Sequence, residues 1–271
     1  MAGHSKWHNI KHRKAAVDAK RGKAWTKCAK AIMVAAKNGG PDPELNLTLR
    51  YAIDEARYAN MPRDTIERAT KKGAGLLGGE NYENVRYEGY GPSGVAVVAD
   101  ALTNNRTRTV GDLRLIFSKF GGNLGNSGCV GFMFESKGRI LIDGMQGGVV
   151  STSNPSNRKG ADALVPIEED KLMELAIAAG AADVVAPGEA GLPWTVFTSP
   201  TDFHAVRQSL EASGVHIAEA SIDMIPSTTV TVRGDIAKSM VKLFDALEDN
   251  DDVQKVYANF EIPDDEVDGL E

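Results

Sequence analysis

The sequence has 271 residues, of which 42% are apolar and 25% charged. This composition is that of a globular protein and excludes a disordered tail or a fibrous repeat. The length predicts two or three domains, because a single core stops growing near this size. The two cysteines, Cys28 and Cys129, exclude a disulfide scaffold, a cysteine zinc cluster and an iron–sulfur site. No apolar stretch reaches the roughly 20 residues that span a bilayer, and the start lacks a signal core, so we expect a cytoplasmic protein without a membrane partner.

The net charge of −6 conceals an asymmetry along the chain. Residues 1–37 contain ten lysines and arginines and one acidic residue, Asp18, whereas residues 81–271 contain fifteen basic and twenty-nine acidic residues. A basic segment raises the local concentration of polyanions. The charge distribution therefore predicts a basic head, residues 1–80, on an acidic body.

Hydrophobic periodicity in the head predicts three helices, over residues 19–38, 46–59 and 62–73, after a basic arm. The first predicted helix places five lysines on the face opposite its apolar side, the lysine row: Lys20, Lys23, Lys27, Lys30 and Lys37. Because like charges on one face repel each other and need an anion, we interpret the row as a contact for nucleic-acid phosphates. The alternatives are a solvated helix face and a basic helix lying on anionic lipid.

The arm adds four basic residues and one aromatic residue to this candidate site. Lys6, Lys11, Arg13 and Lys14 would bind phosphates, and Trp7 would stack on an unpaired base. Alternatively, Trp7 packs the arm against the helices. Three histidines in the arm, His4, His8 and His12, recur every four residues, but no carboxylate or cysteine accompanies them. We therefore expect phosphate ligands there, with no metal and no cofactor.

A second candidate phosphate site precedes a predicted helix in the body. Arg106 and Arg108 would lie beside the first amides of that helix, where an anion is favoured. Thr107 or Thr109 is expected to cap it. The alternative is a pair of surface arginines that neutralise the acidic body.

The chain shows no motif typical of an enzyme. The segment 89–94 matches G-x-G-x-x-G, but Pro92 interrupts it and a strand follows, whereas dinucleotide binding needs a helix there. A turn is the better interpretation. His204 and His216 have no nucleophile placed to use them. We expect no catalytic residues and no small-molecule substrate.

Strands and helices alternate from residue 90 onward. Predicted strands at 95–99 and 130–134 flank a helix, a complete β-α-β-β-α-β series covers 139–222, and a β-α-β series closes the chain. Each half-unit alone has too few strands to bury its helix. The expected fold class is therefore α+β multidomain: a three-helix head with a basic arm, then two ferredoxin-like domains, the second inserted in the first.

The expected domain boundaries follow changes in composition. The domains are residues 1–80, the helical head; 81–137 plus 226–262, a discontinuous α+β domain; 138–225, the inserted α+β domain, with a loop insertion at 146–160; and 263–271, an acidic tail. The alternative to insertion is three successive small units.

Several long segments carry a family resemblance across nearly the whole chain. They are GHSKWHNIKHRK at residues 3–14, NMPRDTIERATKKG at 60–73, YEGYGPSGVAVVADALTNNRTRT at 87–109, GGNLGNSGCVGFMFESKG at 121–138, SIDMIPST at 221–228 and LEDNDDVQKVYAN at 247–259. In these segments the chain resembles the YebC/PmpR family. It departs from the family in the insertion at 146–160 and at Ser93, where members often have glycine.

The resemblance implies an N-terminal helical domain, two α+β domains and a cytoplasmic, non-enzymatic protein. The family is customarily described as probable DNA-binding transcriptional regulators. Some members are instead similar to translation factors that act at the ribosome, including relief of stalling on proline-rich stretches, and the organellar relatives are translational activators of cytochrome oxidase subunit I.

The residues themselves leave the partner open between DNA and ribosomal or transfer RNA. Sequence-specific reading of DNA places a helix with Arg, Asn or Gln in the major groove. The head is instead rich in lysine, which makes point-charge contacts and suits RNA at least as well as an operator. A third hypothesis is a protein–protein adaptor whose basic head binds an acidic partner.

Overall fold

The computed structural model describes residues 18–77, 82–147, 164–187 and 193–267. The helices are α1 (Asp18–Gly39), α2 (Leu47–Tyr58), α3 (Arg63–Gly73), α4 (Arg106–Lys119), α5 (Glu169–Ala179), α6 (Phe203–Ala212), α7 (Gly234–Glu248) and α8 (Asp264–Val267). The strands are β1 (Glu83–Tyr90), β2 (Ala96–Thr103), β3 (Asn123–Leu124), β4 (Phe134–Gly147), β5 (Leu164–Pro166), β6 (Asp183–Val185), β7 (Trp194–Thr198), β8 (Val215–Pro226), β9 (Val230–Thr231), β10 (Val253–Ala258) and β11 (Phe260–Glu261). The described residues form two compact units, one within residues 1–135 and 225–271 and the other within residues 136–224.

The head contains the three helices that periodicity predicts, each ending within one residue of the predicted boundary. Their shared core includes Ile32 of α1, Leu49 and Ala56 of α2, and Ile66 of α3, all buried. Asn46 caps α2: its side chain accepts a hydrogen bond from the Leu49 amide and donates to the carbonyls of Ala35 and Gly40. The cap therefore also ties the loop between α1 and α2 to the end of α1.

Gly73 lets α3 approach α1 closely. A Cβ atom added at this glycine would lie 2.3 Å from the carbonyl oxygen of Met33, so no larger residue fits without a shift of backbone. The glycines at 73, 75, 78 and 79 predict a flexible linker that begins at Gly73. The correction is that Gly73 ends α3 as a packed residue, and a turn over 74–77 follows.

In the same unit, an antiparallel sheet has the order β10-β2-β1-β3. The core on one face of this sheet combines Val97 and Ala99 of β2 with Leu113 and Phe117 of α4 and Met240 of α7. The predicted turn at 89–94 joins β1 to β2 through a single 3₁₀ turn, Pro92–Gly94. Strand β1 itself was missed, because its exposed, charged positions hide the alternation that marks a strand.

Glu88 organises the loop where the sequence predicted a strand over 130–134. Glu88 is 4% exposed, and its carboxylate accepts hydrogen bonds from the amides of Gly128, Val130 and Gly131, at 2.9, 2.8 and 2.7 Å. Burial raises the pKa of Glu88, but these amides together lower it further, so the pKa lies below its ordinary value. The strand prediction is wrong because these amides bind a carboxylate instead of a neighbouring strand, and β4 begins only at Phe134.

The second unit is a sheet of order β5-β4-β7-β6, with β8 also paired to β4. Strands β4 and β7 are antiparallel, from Gly138 opposite Thr198 to Ile142 opposite Trp194. This unit spans residues 136–224, and the predicted inserted domain spans residues 138–225. The predicted loop insertion, 146–160, lies mostly outside the described residues; its first two positions complete β4.

The predicted acidic tail, 263–271, is structured at its start. Asp264–Val267 forms the short helix α8, and Asp265 and Glu266 each lie 3.2 Å from the guanidinium of Arg233. The α+β fold class with an N-terminal helical head is confirmed.

Candidate nucleic-acid interface

Three members of the lysine row bind the chain's own acidic turn, Glu248–Asp252, which begins at the last residue of α7. The Lys23 ammonium lies 3.1 Å from Asp249 Oδ1, and the Lys27 ammonium donates to the Glu248 carbonyl at 2.7 Å. Lys30 donates to the Asp251 carbonyl at 2.7 Å and to Asp252 Oδ1 at 3.2 Å. Carboxylates and carbonyls of the same protein therefore supply the negative charge that these neighbouring lysines need.

Burial increases along the row from Lys23 to Lys30. The side chains of Lys23 and Asp249 are 49% and 68% exposed, whereas those of Lys30 and Asp252 are 11% and 7% exposed. Lys27 lies between them, and burial lowers its pKa below the ordinary value, against the raising effect of Glu248 and Asp249. The faces of Lys27 and Lys30 are therefore occupied by the acidic turn, and their role as phosphate ligands stays a prediction.

The lysines also cap the C-terminal end of α7 by binding its last backbone carbonyls. The last carbonyls of a helix lack partners within the helix, and that end carries a partial negative charge. Lys27 binds the carbonyl of Glu248, and Lys23 lies 3.4 Å from the carbonyl of Asp249. The basic face of α1 thus satisfies exposed carbonyls as well as carboxylates.

Asp252 is the centre of a buried polar cluster that joins the head to the α+β domain. Its carboxylate accepts hydrogen bonds from Lys30, from Arg108 at 2.7 Å and from Thr109 at 2.8 Å. Burial raises the pKa of Asp252, but the bonds from Arg108, Thr109 and Lys30 outweigh it, so the pKa lies below the ordinary value. The carboxylate is consequently ionised at neutral pH and holds both cations.

The second candidate phosphate site has a different arrangement from the predicted one. Asn105, rather than Thr107 or Thr109, caps α4. Asn105 directly precedes the helix, and its short side chain accepts a hydrogen bond from the Arg108 amide in the first turn. Arg108 is half exposed but holds Asp252. Arg106 remains 63% exposed, with Glu83 at 3.7 Å, and is the more available of the two arginines.

The arm lies outside the described residues. The arm positions of the candidate site are Lys6, Trp7, Lys11, Arg13 and Lys14, and their roles remain predictions, as does any role of His4, His8 and His12. The backbone of Lys20 belongs to α1, but its side chain is also outside the described part of the chain.

The structure adds an exposed basic face on α3 that the sequence analysis did not single out. Arg68 and Lys71 are exposed there, and Lys72 lines a cavity of about 380 Å³ between the ends of α1 and α3, together with Lys37 and Tyr82. Two acidic residues share that helix, and one of them, Glu67, pairs with Arg63 at 3.2 Å. Helical periodicity applied to 62–73 is the signal that would have found this face.

Neither a metal centre nor a reactive thiol is evident in the described ranges. Within 18–77, 82–147, 164–187 and 193–267, no three His, Cys, Asp or Glu side chains are grouped to hold a metal ion. Burial raises the pKa of Cys28 to about 12, so its thiol is not activated as a nucleophile. Among the described helices, none has the length and hydropathy needed to cross a membrane.

Comparison with known proteins covers both parts of the chain. Residues 5–76 match the TACO1/YebC N-terminal domain, and residues 82–260 match the TACO1/YebC second and third domain. A relative from Persephonella marina named probable transcriptional regulatory protein is 49% identical over 263 residues, covering 97% of this chain and 96% of that protein. A relative of the same name from Natranaerobius thermophilus is 50% identical, covering 97% and 98%.

A solved structure has the same fold. The crystal structure of the conserved hypothetical protein Aq1575 from Aquifex aeolicus matches with a TM-score of 0.78 and 46% identity, covering 94% of this chain and 96% of that one. The family resemblance drawn from the sequence motifs is confirmed. On the domain matches and on relatives that are half identical over nearly their whole length, the chain belongs to the TACO1/YebC family.

Proposed function

We propose that this protein is a non-enzymatic, cytoplasmic regulator of gene expression that binds nucleic acid through its basic segment, residues 1–22. This segment contains six lysines and arginines and one acidic residue. Relatives of about 49% identity are named probable transcriptional regulatory protein, which supports a regulatory role. DNA is the first candidate partner on that ground.

The observation that carries the proposal is the excess of basic over acidic residues at positions 1–22. Glu248–Asp252 supplies anions to Lys23, Lys27 and Lys30, and Lys23 is the most exposed of the three. The basic residues that precede Lys23 stay in excess over the acidic ones in sequence. An excess of this kind favours a polyanion, because each phosphate contacted releases condensed counterions.

RNA is the second candidate partner, and residue type favours it. Of the ten basic residues in 1–37, eight are lysine and two are arginine. Lysine contacts phosphates as a point charge, whereas arginine reads guanine with two hydrogen bonds. A lysine-rich segment therefore suits a translation factor that binds ribosomal or transfer RNA and acts at the ribosome, including at stalls on proline-rich stretches.

Charge reversal in the arm tests the proposal. The triple variant Lys6→Glu/Lys11→Glu/Lys14→Glu is compared with Lys119→Glu/Lys238→Glu/Lys242→Glu, which makes the same change of net charge at exposed positions of α4 and α7. Binding of a labelled DNA duplex and of a labelled ribosomal RNA fragment is measured from about 50 to 200 mM salt.

We expect the arm variant to bind at least about tenfold more weakly, with a shallower dependence of log K on log salt, since each lost phosphate contact removes a slope of about 0.9. The control variant should keep the wild-type slope. Equal losses in both variants would refute the proposal. Tighter binding of the duplex would favour a transcriptional role, and tighter binding of the RNA a translational one.

A further inference from the structure

The acidic turn offers α1 the same chemistry that a phosphate strand would offer. Four of its five residues are acidic: Glu248, Asp249, Asp251 and Asp252. It presents oxygen atoms to lysines that recur three and four residues apart on one face of α1, positions about 5–6 Å from each other. The bound oxygens are carboxylates and carbonyls, Asp249 Oδ1 at Lys23 and the Glu248 carbonyl at Lys27. A nucleic-acid strand bound by residues 1–22 would meet this face next, because Lys23 directly continues that segment.

The three lysines differ in how readily a phosphate could replace the acidic turn as their partner. Lys23 and Asp249 are both well exposed, so their pair is weak and screened by salt, and either partner can be replaced without desolvation. Lys30 is 8% exposed and has two acceptors, one of which also binds Arg108 and Thr109 through its other oxygen. Removing the partner of a buried charge is costly, so this contact persists. Lys27, half-buried with a single carbonyl acceptor, is intermediate.

We propose that the acidic turn is an intramolecular competitor of nucleic acid. It occupies Lys23 and Lys27 in the free protein and leaves them when a strand bound to residues 1–22 extends along α1, while the Lys30–Asp252 contact stays in place as the anchor. This inference rests on the proposed function, since it concerns the regulation of the same binding surface. The turn raises the threshold for binding, so that short or weakly charged anions do not hold the head.

The variant Asp249→Asn/Asp251→Asn tests the competition, because both side chains are exposed and the Asp251 backbone carbonyl that accepts from Lys30 is retained. Its control is Asp235→Asn/Glu174→Gln, which removes two exposed negative charges elsewhere. Asp235 lies at the opposite end of α7 from the turn, about 20 Å away for a helix of this length. The probes are a labelled 20-nucleotide RNA and a DNA duplex of the same sequence.

We expect the turn variant to bind about three- to tenfold more tightly than the wild type near 50 mM salt, because it removes the exposed Lys23–Asp249 ion pair and the Coulombic attraction between Asp251 and Lys27. The control should stay within about twofold of the wild type. The advantage of the turn variant should shrink near 200 mM salt, where exposed pairs are screened. An equal gain in turn variant and control would overturn the competition and leave only a general effect of net charge.

Hydrogen exchange in the turn separates displacement from a change of electrostatic field. In the wild type, displacement predicts faster exchange of the amides of residues 248–250 when RNA is added, whereas a field effect leaves their exchange unchanged. Unchanged exchange with bound RNA would therefore also overturn the inference. If the wild type fails to bind either probe, the proposed function fails first; if it binds and the turn does not respond, only the competition fails.

Discussion

Lys30 and Arg108 bind the two oxygens of one buried carboxylate, that of Asp252, from opposite sides of the contact between the helical head and the α+β domain. The Lys30 ammonium lies 3.2 Å from Oδ1 and the Arg108 guanidinium 2.7 Å from Oδ2. Both cations were candidate phosphate ligands in the sequence. Their shared partner makes them components of the fold, which shifts the candidate nucleic-acid surface toward residues before Lys23.

Asp252→Asn should strongly destabilise the protein. The substitution leaves the buried Lys30 ammonium without its carboxylate and weakens the bonds from Arg108 and Thr109. Breaking a buried pair by removing one partner costs about 3–5 kcal/mol, measured here as the free energy of unfolding in urea. Asp249→Asn, which disrupts the exposed pair with Lys23, should cost less than about 1 kcal/mol. Equal losses in the two variants would contradict the assignment of Asp252 as the anchor.

The stabilisation by Asp252 should depend on pH in a defined direction. Its pKa in the folded protein is depressed, so the unfolded chain takes up the proton first, near pH 3.9. The stability difference between wild type and Asp252→Asn is therefore fully present above about pH 5 and is lost as pH falls through the folded pKa. Urea unfolding of both proteins between pH 3 and 8 measures this difference. A gap that widens on acidification would show that the depressed pKa is wrong.

Glu88→Gln should loosen the loop before β4. The carboxylate accepts three amide hydrogen bonds, and the glutamine side chain replaces one accepting oxygen with a donor that faces those amides. We expect a loss of about 2 kcal/mol or more in unfolding free energy and faster hydrogen exchange at Gly128, Val130 and Gly131. Glu83→Gln is the matched control, since Glu83 is 58% exposed and pairs with Arg106 only at 3.7 Å. Protection of the three amides that survives in Glu88→Gln would rule out this role of Glu88.

Two glycine-to-alanine substitutions should change the stability of the protein in opposite directions. At Gly73 the added Cβ would meet the Met33 carbonyl oxygen at 2.3 Å, so Gly73→Ala must push α3 away from α1 and should cost about 2 kcal/mol or more. At Gly111, inside α4, a Cβ would meet nothing within 4 Å. Gly111→Ala should therefore stabilise the protein by about 0.5–1 kcal/mol through helix propensity. Thermal unfolding measures both shifts, and a destabilised Gly111→Ala would contradict the open surroundings of that position.

Local sequence patterns were enough to predict the elements whose buried residues recur at a regular spacing. The three head helices have apolar residues at helical spacing and clear ends, such as the Asn46 cap and the proline before α3. Strand β1 and the loop after β3 escaped prediction because their conformation depends on partners distant in sequence. Glu88, for example, holds amides about 40 residues further along the chain.

The sequence by itself determined the basic head, the acidic body and the motifs of the family. It also determined the alternation of strands and helices from which the inserted domain was predicted. It also determined that the lysine row needs an anion, because that follows from the spacing of like charges along one helix. Only the tertiary structure decided which anion is present in the free protein. Lys23 and Asp249 are 226 residues apart, and Lys30 and Asp252 are 222 residues apart. No local pattern relates such positions; their contact arises because packing of the head places α1 against the end of α7.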